Sequence, residues 1–204
     1  VLEWADVASL SARVGAPEPS SIIAGYAPPR GSPADARAGD IWHASPGPAQ
    51  ELMTPALNKP VPEFEALATG GVKFSPQAYA GKIVVLYFYP KDNTPGCTTE
   101  AMQFRDHYKE FLKAGAVLFG VSRDNMASHD RFKQNLELPF ELIADTEEKL
   151  CHMFGVVKNK IMYGKKVKGI ERSTFLIDGT GVLRAEWRGL TVAGHVEEVL
   201  KAVK

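Results

Sequence analysis

Apolar residues along this chain fall into two rhythms, and their alternation predicts the fold. Ile83 to Tyr89 is an unbroken run of seven apolar or aromatic residues, which predicts a strand buried on both faces rather than one with a wet side. Pro90 ends it, and Pro95-Gly96 turns the chain. From Thr98 to about Lys113, Met102, Phe104, Tyr108, Phe111 and Leu112 recur at roughly helical spacing. The same alternation continues with a strand over Ala116–Ser122, a helix over about Met126–Leu136 and a strand over Phe140–Ala144. A short helix over Thr146–Phe154 follows, with Asp145 or Thr146 as its cap and Glu147-Glu148 in its first turn. Thr174–Asp178 and Val182–Trp187 flank Gly179-Thr-Gly181 and predict an antiparallel hairpin. His195–Val203 closes as a helix with Val196, Val199, Leu200 and Val203 on one face. Upstream, Val61–Phe64 reads as an extended entry and Gly70-Gly71 as a turn. This order predicts an α/β class with a central mixed sheet covered by helices on both faces.

The rhythm is missing before residue 53. Residues 1–52 contain no lysine, against 15 in the rest of the chain, and hold 11 Ala, 7 Pro, 6 Ser and 5 Gly. Such a segment has little to bury, and its prolines interrupt any long element. The expectation is a disordered or loosely draped extension over 1–52, followed by one domain over 53–204. Two alternatives stay open: a partner-binding or regulatory arm, and a stretch that is not a native part of the protein. The second draws on Val1 in place of an initiator and on Met53, which opens a compact length of 152 residues.

Charge and cysteine content narrow the function classes. Lys plus Arg equals Asp plus Glu at 24 each, so no overall basic field attracts nucleic acid. The local exception is Lys158 to Lys168, five lysines in eleven residues, expected as a solvated loop or as a rim that steers an acidic reductant or anionic substrate. No apolar run approaches the ~18 residues that span a membrane. Two cysteines build no disulfide framework, which suits a reducing, cytoplasmic compartment. No Cys/His cluster has ligand spacing, since Cys151-His152 is too short a pair, so neither a metal nor another cofactor is expected.

The chemistry concentrates at Cys97, in Pro90-Lys-Asp-Asn-Thr94-Pro-Gly-Cys97-Thr-Thr-Glu100. A cysteine in or just before the first turn of a helix meets unpaired backbone N–H groups and the positive end of the helix dipole, which favour the anionic thiolate. Three readings compete: a small buried hydrophobe, a thiol active toward oxidants, and the nucleophile of a cysteine hydrolase. The last needs a histidine base. His107 lies ten residues on along the same expected helix, about 15 Å away, and His43, His129, His152 and His195 carry no local catalytic signature. A dithiol oxidoreductase would need Cys-x-x-Cys, and the first position of Thr94-Pro-Gly-Cys97 is Thr.

The spacing Pro90-x-x-x-Thr94-x-x-Cys97 resembles the active-site signature of the peroxiredoxins. Thr-Pro-Gly-Cys-Thr with Phe104-Arg105-Asp106 downstream resembles the bacterioferritin comigratory, or Q-type, branch. The resemblance extends from about Asn58 to Lys204, with Arg172 in Glu171-Arg-Ser-Thr-Phe-Leu-Ile-Asp178 at the family's arginine position. It implies a thioredoxin-like fold and a thiol peroxidase that reduces hydrogen peroxide and organic hydroperoxides through Cys97. By resemblance, Arg172 stabilises the thiolate and the departing oxygen, Thr94 offers its hydroxyl, Pro90 shields the sulfur, and Glu100 is a supporting acid that dipole compensation alone could explain.

The resolving thiol is where this chain departs from much of the branch. One usual position is Met102 and the other is Lys133. Cys151 remains as a possible resolving thiol, although its place beside Leu150 on a helix favours a packed structural cysteine. The expectation is a one-cysteine mechanism with an external thiol, thioredoxin or glutaredoxin with glutathione, as reductant. The expected assembly is a monomer or weak homodimer. A non-catalytic redox-sensing or holdase-type protein of the same fold is the alternative.

Overall fold

The computed structural model describes residues 54–162 and 165–204, with the side chains of 160–167 outside the description. The extension expected over 1–52 therefore lies outside the described residues. In chain order the elements are β1 (Ala66–Leu67), β2 (Lys73–Phe74), β3 (Ile83–Phe88), α1 (Pro95–Asp106), α2 (Tyr108–Lys113), β4 (Ala116–Ser122), α3 (Met126–Leu136), β5 (Glu141–Ala144), α4 (Lys149–Met153), β6 (Val157–Met162), β7 (Lys165–Ile170), β8 (Ser173–Ile177), β9 (Leu183–Arg188) and α5 (His195–Val203).

The run without polar residues takes the middle of the sheet, as burial on both faces requires. Five strands lie in the order β5-β4-β3-β8-β9. β3, β4 and β5 run parallel, while β8 is antiparallel to β3 and to β9. The sheet is mixed, as the sequence predicts.

Alternation along β3 divides the interior into two cores. Val84, Leu86 and Phe88 pack with Phe119, Ile143, Leu150, Cys151, Phe154 and Phe175. Val85, Tyr87 and Tyr89 pack with Cys97, Phe104, Phe111, Phe132, Val196 and Val199 on the opposite face. α4 closes the first core, and α1, α2, α5 and Phe132 of α3 close the second. Gly120 on β4 has a steric reason: a Cβ there would lie 2.7 Å from the Tyr87 ring and from Leu142. The space a side chain would need holds Tyr87, which stacks on Phe104 at 4.6 Å between ring centroids.

Three expectations need correction. The single helix over Thr98–Lys113 starts earlier, at Pro95, and is two helices. His107 breaks it in the bridge conformation (φ −93°, ψ 1°), where its carbonyl accepts from the amides of Glu110 and Phe111 and begins a new helix. The helix expected over Thr146–Phe154 shrinks to Lys149–Met153, entered through Glu148 in the left-handed region at φ 57°. Neither Asp145 nor Thr146 is its cap residue, although the Asp145 carboxylate accepts from the Cys151 amide at 2.7 Å. Glu147 and Glu148 precede the helix and pair with Lys149, and with Arg123 and His152, respectively. The lysine-rich stretch is no loop but the paired strands β6 and β7, from Val157↔Ile170 to Met162↔Lys165. Among the described residues, no helix is long and apolar enough to cross a membrane.

Candidate active site

The turn between β3 and α1 is built by its own residues. Asn93 adopts the left-handed conformation at φ 57°, which Asn tolerates better than most residues. Thr94 is extended (φ −90°, ψ 147°) as the residue before α1, and Pro95 opens the helix where its missing N–H costs nothing. The first helical bond runs from the Thr98 amide to the Thr94 carbonyl, 2.9 Å. Cys97 is the third residue of α1 and only 2 % exposed. The amides of Gly96 and Cys97 fall in the first turn, which has no acceptors within the helix.

Sheet register brings up the partner. β8 pairs with β3 so that Ser173 faces Phe88, and Arg172, one residue earlier, arrives beside the end of β3 where the cysteine turn begins. Arg172 Nη2 donates to Cys97 Sγ at 3.2 Å, and Nη1 donates to Glu100 Oε2. Burial works against the Arg172 charge, but the Glu100 carboxylate and the Cys97 sulfur outweigh it and hold the guanidinium protonated.

Glu100 does more than compensate a dipole. It lies three residues after Cys97, is fully buried, and spends one oxygen on Arg172. Its other oxygen is buried without a hydrogen-bond partner. Burial, partly offset by Arg172, pushes its carboxyl up to about 7.

The remaining expected residues take different positions. Pro90 and Thr94 are half-buried in the turn, and the Thr94 hydroxyl donates to the Lys91 carbonyl at 3.1 Å. Cys151 sits in the opposite core, across the sheet from Cys97. Burial, then the neighbouring Asp145 carboxylate, push its thiol well up, so it stays protonated. Lys133 pairs with Glu141 on β5, and Met102 is partly exposed on α1.

Sequence reasoning gave no role to three buried polar groups, Asp92, His129 and His195. His195, 3 % exposed, has Nε2 2.8 Å from the Thr174 hydroxyl, two residues after Arg172. Asp92, inside the cysteine turn, is bonded to Tyr89, Ser128 and His129. The signal for Asp92 was its place within the motif. That for His129 was only a polar Ser128-His129 pair at the start of an amphipathic helix.

The model of the AhpC/TSA family matches residues 57–186. The chain belongs to that family. It is 51% identical over 136 residues to peroxiredoxin Bcp of Xanthomonas campestris, covering 67% of this chain and 85% of that protein. Over 152 residues it is 47% identical to peroxiredoxin Bcp of Bacillus subtilis, covering 74% and 97%. A solved structure of Xanthomonas campestris peroxiredoxin Q superposes with a TM-score of 0.66 at 48% identity, over 69% of this chain and 89% of that one. Another structure, of the Xanthomonas campestris bacterioferritin comigratory protein, with the same TM-score, identity and coverage, concerns its alkyl peroxide reduction activity and a trapped intermediate/ligand complex. This AhpC/TSA protein is accordingly a thiol peroxidase of the Bcp/Q kind with a thioredoxin-like fold, and these relatives disfavour the non-catalytic alternative.

Two buried groups of this peroxiredoxin titrate in opposite senses. Glu100, raised from 4.5 to about 7, binds a proton in the folded state where the unfolded chain does not, so its contribution to stability falls as pH rises through that window. His195 is lowered from 6.5 to about 4 by burial, with Arg172 adding to it against Glu198, so its contribution rises with pH between those values. Each window is worth up to about 3 kcal/mol. Relative to the parent protein, Glu100→Gln is expected to gain stability on going from pH 4 to 6.5, and His195→Gln to lose it from pH 4.5 to 7. Denaturant titrations across this range check both, and three parallel profiles would remove the two assignments.

Proposed function

We propose that Cys97 is the thiol that meets the peroxide, and that Arg172, Thr94 and Pro90 are its working partners. The observation that carries this reading is the fork of Arg172, one arm on Cys97 Sγ at 3.2 Å and the other on Glu100. The thiolate attacks the terminal oxygen of a hydroperoxide. An S–O bond forms, the O–O bond breaks, and the departing oxygen leaves as an alcohol or water once protonated. Arg172 and the first-turn amides stabilise the negative charge that grows on that oxygen. The Thr94 hydroxyl orients the peroxide, Pro90 keeps water from the sulfur, and Glu100 fixes the guanidinium.

Reduction falls to an external thiol. An incoming thiol displaces the sulfenic oxygen of Cys97 as water, and a second thiol releases Cys97 and leaves as the disulfide. The raised pKa of the Cys151 thiol and its place in the opposite core support a cycle without it. Thioredoxin or glutaredoxin with glutathione are the reductants of this one-cysteine cycle, which belongs in a reducing compartment, the cytoplasm. Among the described residues, the exposed large apolar residues Leu57, Leu67, Met102 and Leu112 fall on different segments of the chain, which supports a monomer or weak homodimer.

Cys97→Ser is expected to abolish turnover, and Cys151→Ser to retain most of it with a small external thiol. Coupled peroxide-consumption assays check this. Substantial turnover by Cys97→Ser sinks the mechanism, and a Cys97–Cys151 linked peptide in the oxidised protein makes Cys151 the resolving thiol instead.

Arg172→Ala or Arg172→Met is expected to slow the oxidation of Cys97 by ~10²–10³, the usual cost of removing one donor to a developing anion. Arg172→Lys recovers part, because an ammonium replaces the charge but not the fork. Stopped-flow oxidation of Arg172→Ala at the parent rate rejects the role.

Residues 53–204 carry the activity by themselves in this reading, because every assigned group lies within them. A protein beginning at Met53 is expected to match the full chain in turnover and in melting temperature within a degree or two. Loss of most of its turnover, or of several degrees, makes residues 1–52 part of the working structure.

A further inference from the structure

The turn that carries Cys97 has a second tether, on the side away from Arg172. Around it Lys91, Asn93, Pro95 and Gly96 are exposed, but Asp92 is only 4 % exposed. Its carboxylate accepts from the Tyr89 hydroxyl at 2.8 Å, the Ser128 hydroxyl at 2.7 Å and His129 Nδ1 at 3.0 Å. Its amide donates to the Asp124 carboxylate at 2.9 Å, which the Ser122 hydroxyl also meets at 2.6 Å. Asn125 caps α3 by accepting from the Ser128 amide at 2.9 Å, so the Asp92 carboxylate lies beside the first turn of that helix, where the dipole favours an anion.

His129 completes the tether. It is fully buried, with Nδ1 on Asp92 and Nε2 3.1 Å from the Ile143 carbonyl of β5. A carboxylate and a carbonyl only accept, so a ring donating from both nitrogens fits both contacts. The Tyr89 hydroxyl, 3.4 Å from Nδ1, has its proton on Asp92. Burial pushes the Asp92 carboxyl up, but the hydrogen bond and charge of His129, with Ser128 and Tyr89, outweigh it and hold it below the usual range. A buried carboxylate costs several kcal/mol unless it is paired and hydrogen-bonded. Here the partners are Tyr89, the residue after β3, and Ser128 and His129 of α3, and His129 reaches on to β5, so the turn is fastened to α3 and through it to β5 by one side chain.

We infer that Asp92 and His129 are a positioning pair for the peroxide reaction: they clamp the cysteine-bearing turn to α3 and β5 so that Cys97 Sγ stays seated against Arg172. Neither residue touches the sulfur. The clamp acts by holding the turn between two anchors, and it rests on the reading of Cys97 as the peroxide-reacting thiol.

Two reactions of Cys97 separate positioning from bulk stability. Oxidation by hydrogen peroxide, followed by stopped flow, needs the sulfur aligned with Arg172. Alkylation by iodoacetamide, which the thiolate attacks, is mapped by mass spectrometry at one fixed alkaline pH and needs no alignment with Arg172, only access to a sulfur that is 2 % exposed. Cys151, fully buried across the sheet, reports global opening in the same digest. Asp92→Asn and His129→Gln are each expected to slow oxidation by about tenfold to a hundredfold, the scale of a small misplacement. Alkylation of Cys97 is expected to quicken severalfold while Cys151 stays unlabelled. The double variant is expected to be no slower than the slower single, as for two members of one unit. Tyr89→Phe removes one donor to Asp92 and keeps the ring, and is expected to lower the ratio of oxidation to alkylation about twofold to fivefold. Oxidation of His129→Gln at the parent rate, or single losses that multiply in the double variant, overturns the clamp. If the larger substitutions expose Cys151, Tyr89→Phe decides, and an unchanged ratio there overturns it. A parent protein whose Cys97 does not react with peroxide refutes the site reading itself, a result distinct from a reactive parent with unaltered variants.

Discussion

The structure turns on one buried guanidinium. Arg172 sits between a carboxylate and a sulfur, with Glu100 taking one arm of the fork and Cys97 the other. A buried ion pair adds little to stability once the desolvation of both charges is counted. What it provides is position. Glu100 lies nearly one turn beyond Cys97 on α1, so the helix fixes the spacing of the two acceptors, and the register of β8 against β3 fixes where the donor arrives. The site is therefore as rigid as the central sheet that supplies its register.

That same sheet divides the two cysteines. Strand β3 sends alternate side chains to opposite cores, Cys97 shares one with Tyr87 and Tyr89, and Cys151 shares the other with Leu86 and Phe88. The single layer of paired backbone lies between them. The electrostatics of Cys151 agree with its place, because burial and then the Asp145 carboxylate disfavour its thiolate. The Lys133 ammonium ties α3 to β5 through Glu141.

The cysteine turn is thus held from two sides. Arg172 grips the sulfur from β8, and Asp92 grips the backbone five residues earlier from α3. Between the two grips the chain is exposed at Asn93, Pro95 and Gly96. Holding a nearly buried nucleophile by charged groups at both ends of a short turn reconciles exclusion of water with access for a small peroxide.

Much of this was legible from residues alone. Continuous apolar runs marked out β3 and β4, the helix expected over about Met126–Leu136 matches α3, and the Gly-Thr-Gly turn between the last two strands marked the β8–β9 hairpin. The motif Pro90-x-x-x-Thr94-x-x-Cys97 singled out the nucleophile because a strand-turn-helix transition is a local event, encoded by neighbours. The break at His107, the short α4 and the lysine-rich β6–β7 hairpin were not legible, since each depends on which carbonyl, carboxylate or strand happens to lie opposite. Burial of Glu100, the opposite faces of the two thiols and the Asp92–His129 pair likewise needed the tertiary structure. They join residues 32 to 75 positions apart, or depend on which side of a sheet a helix lands, and neither distance in space nor the desolvation that shifts a buried charge is written in local sequence.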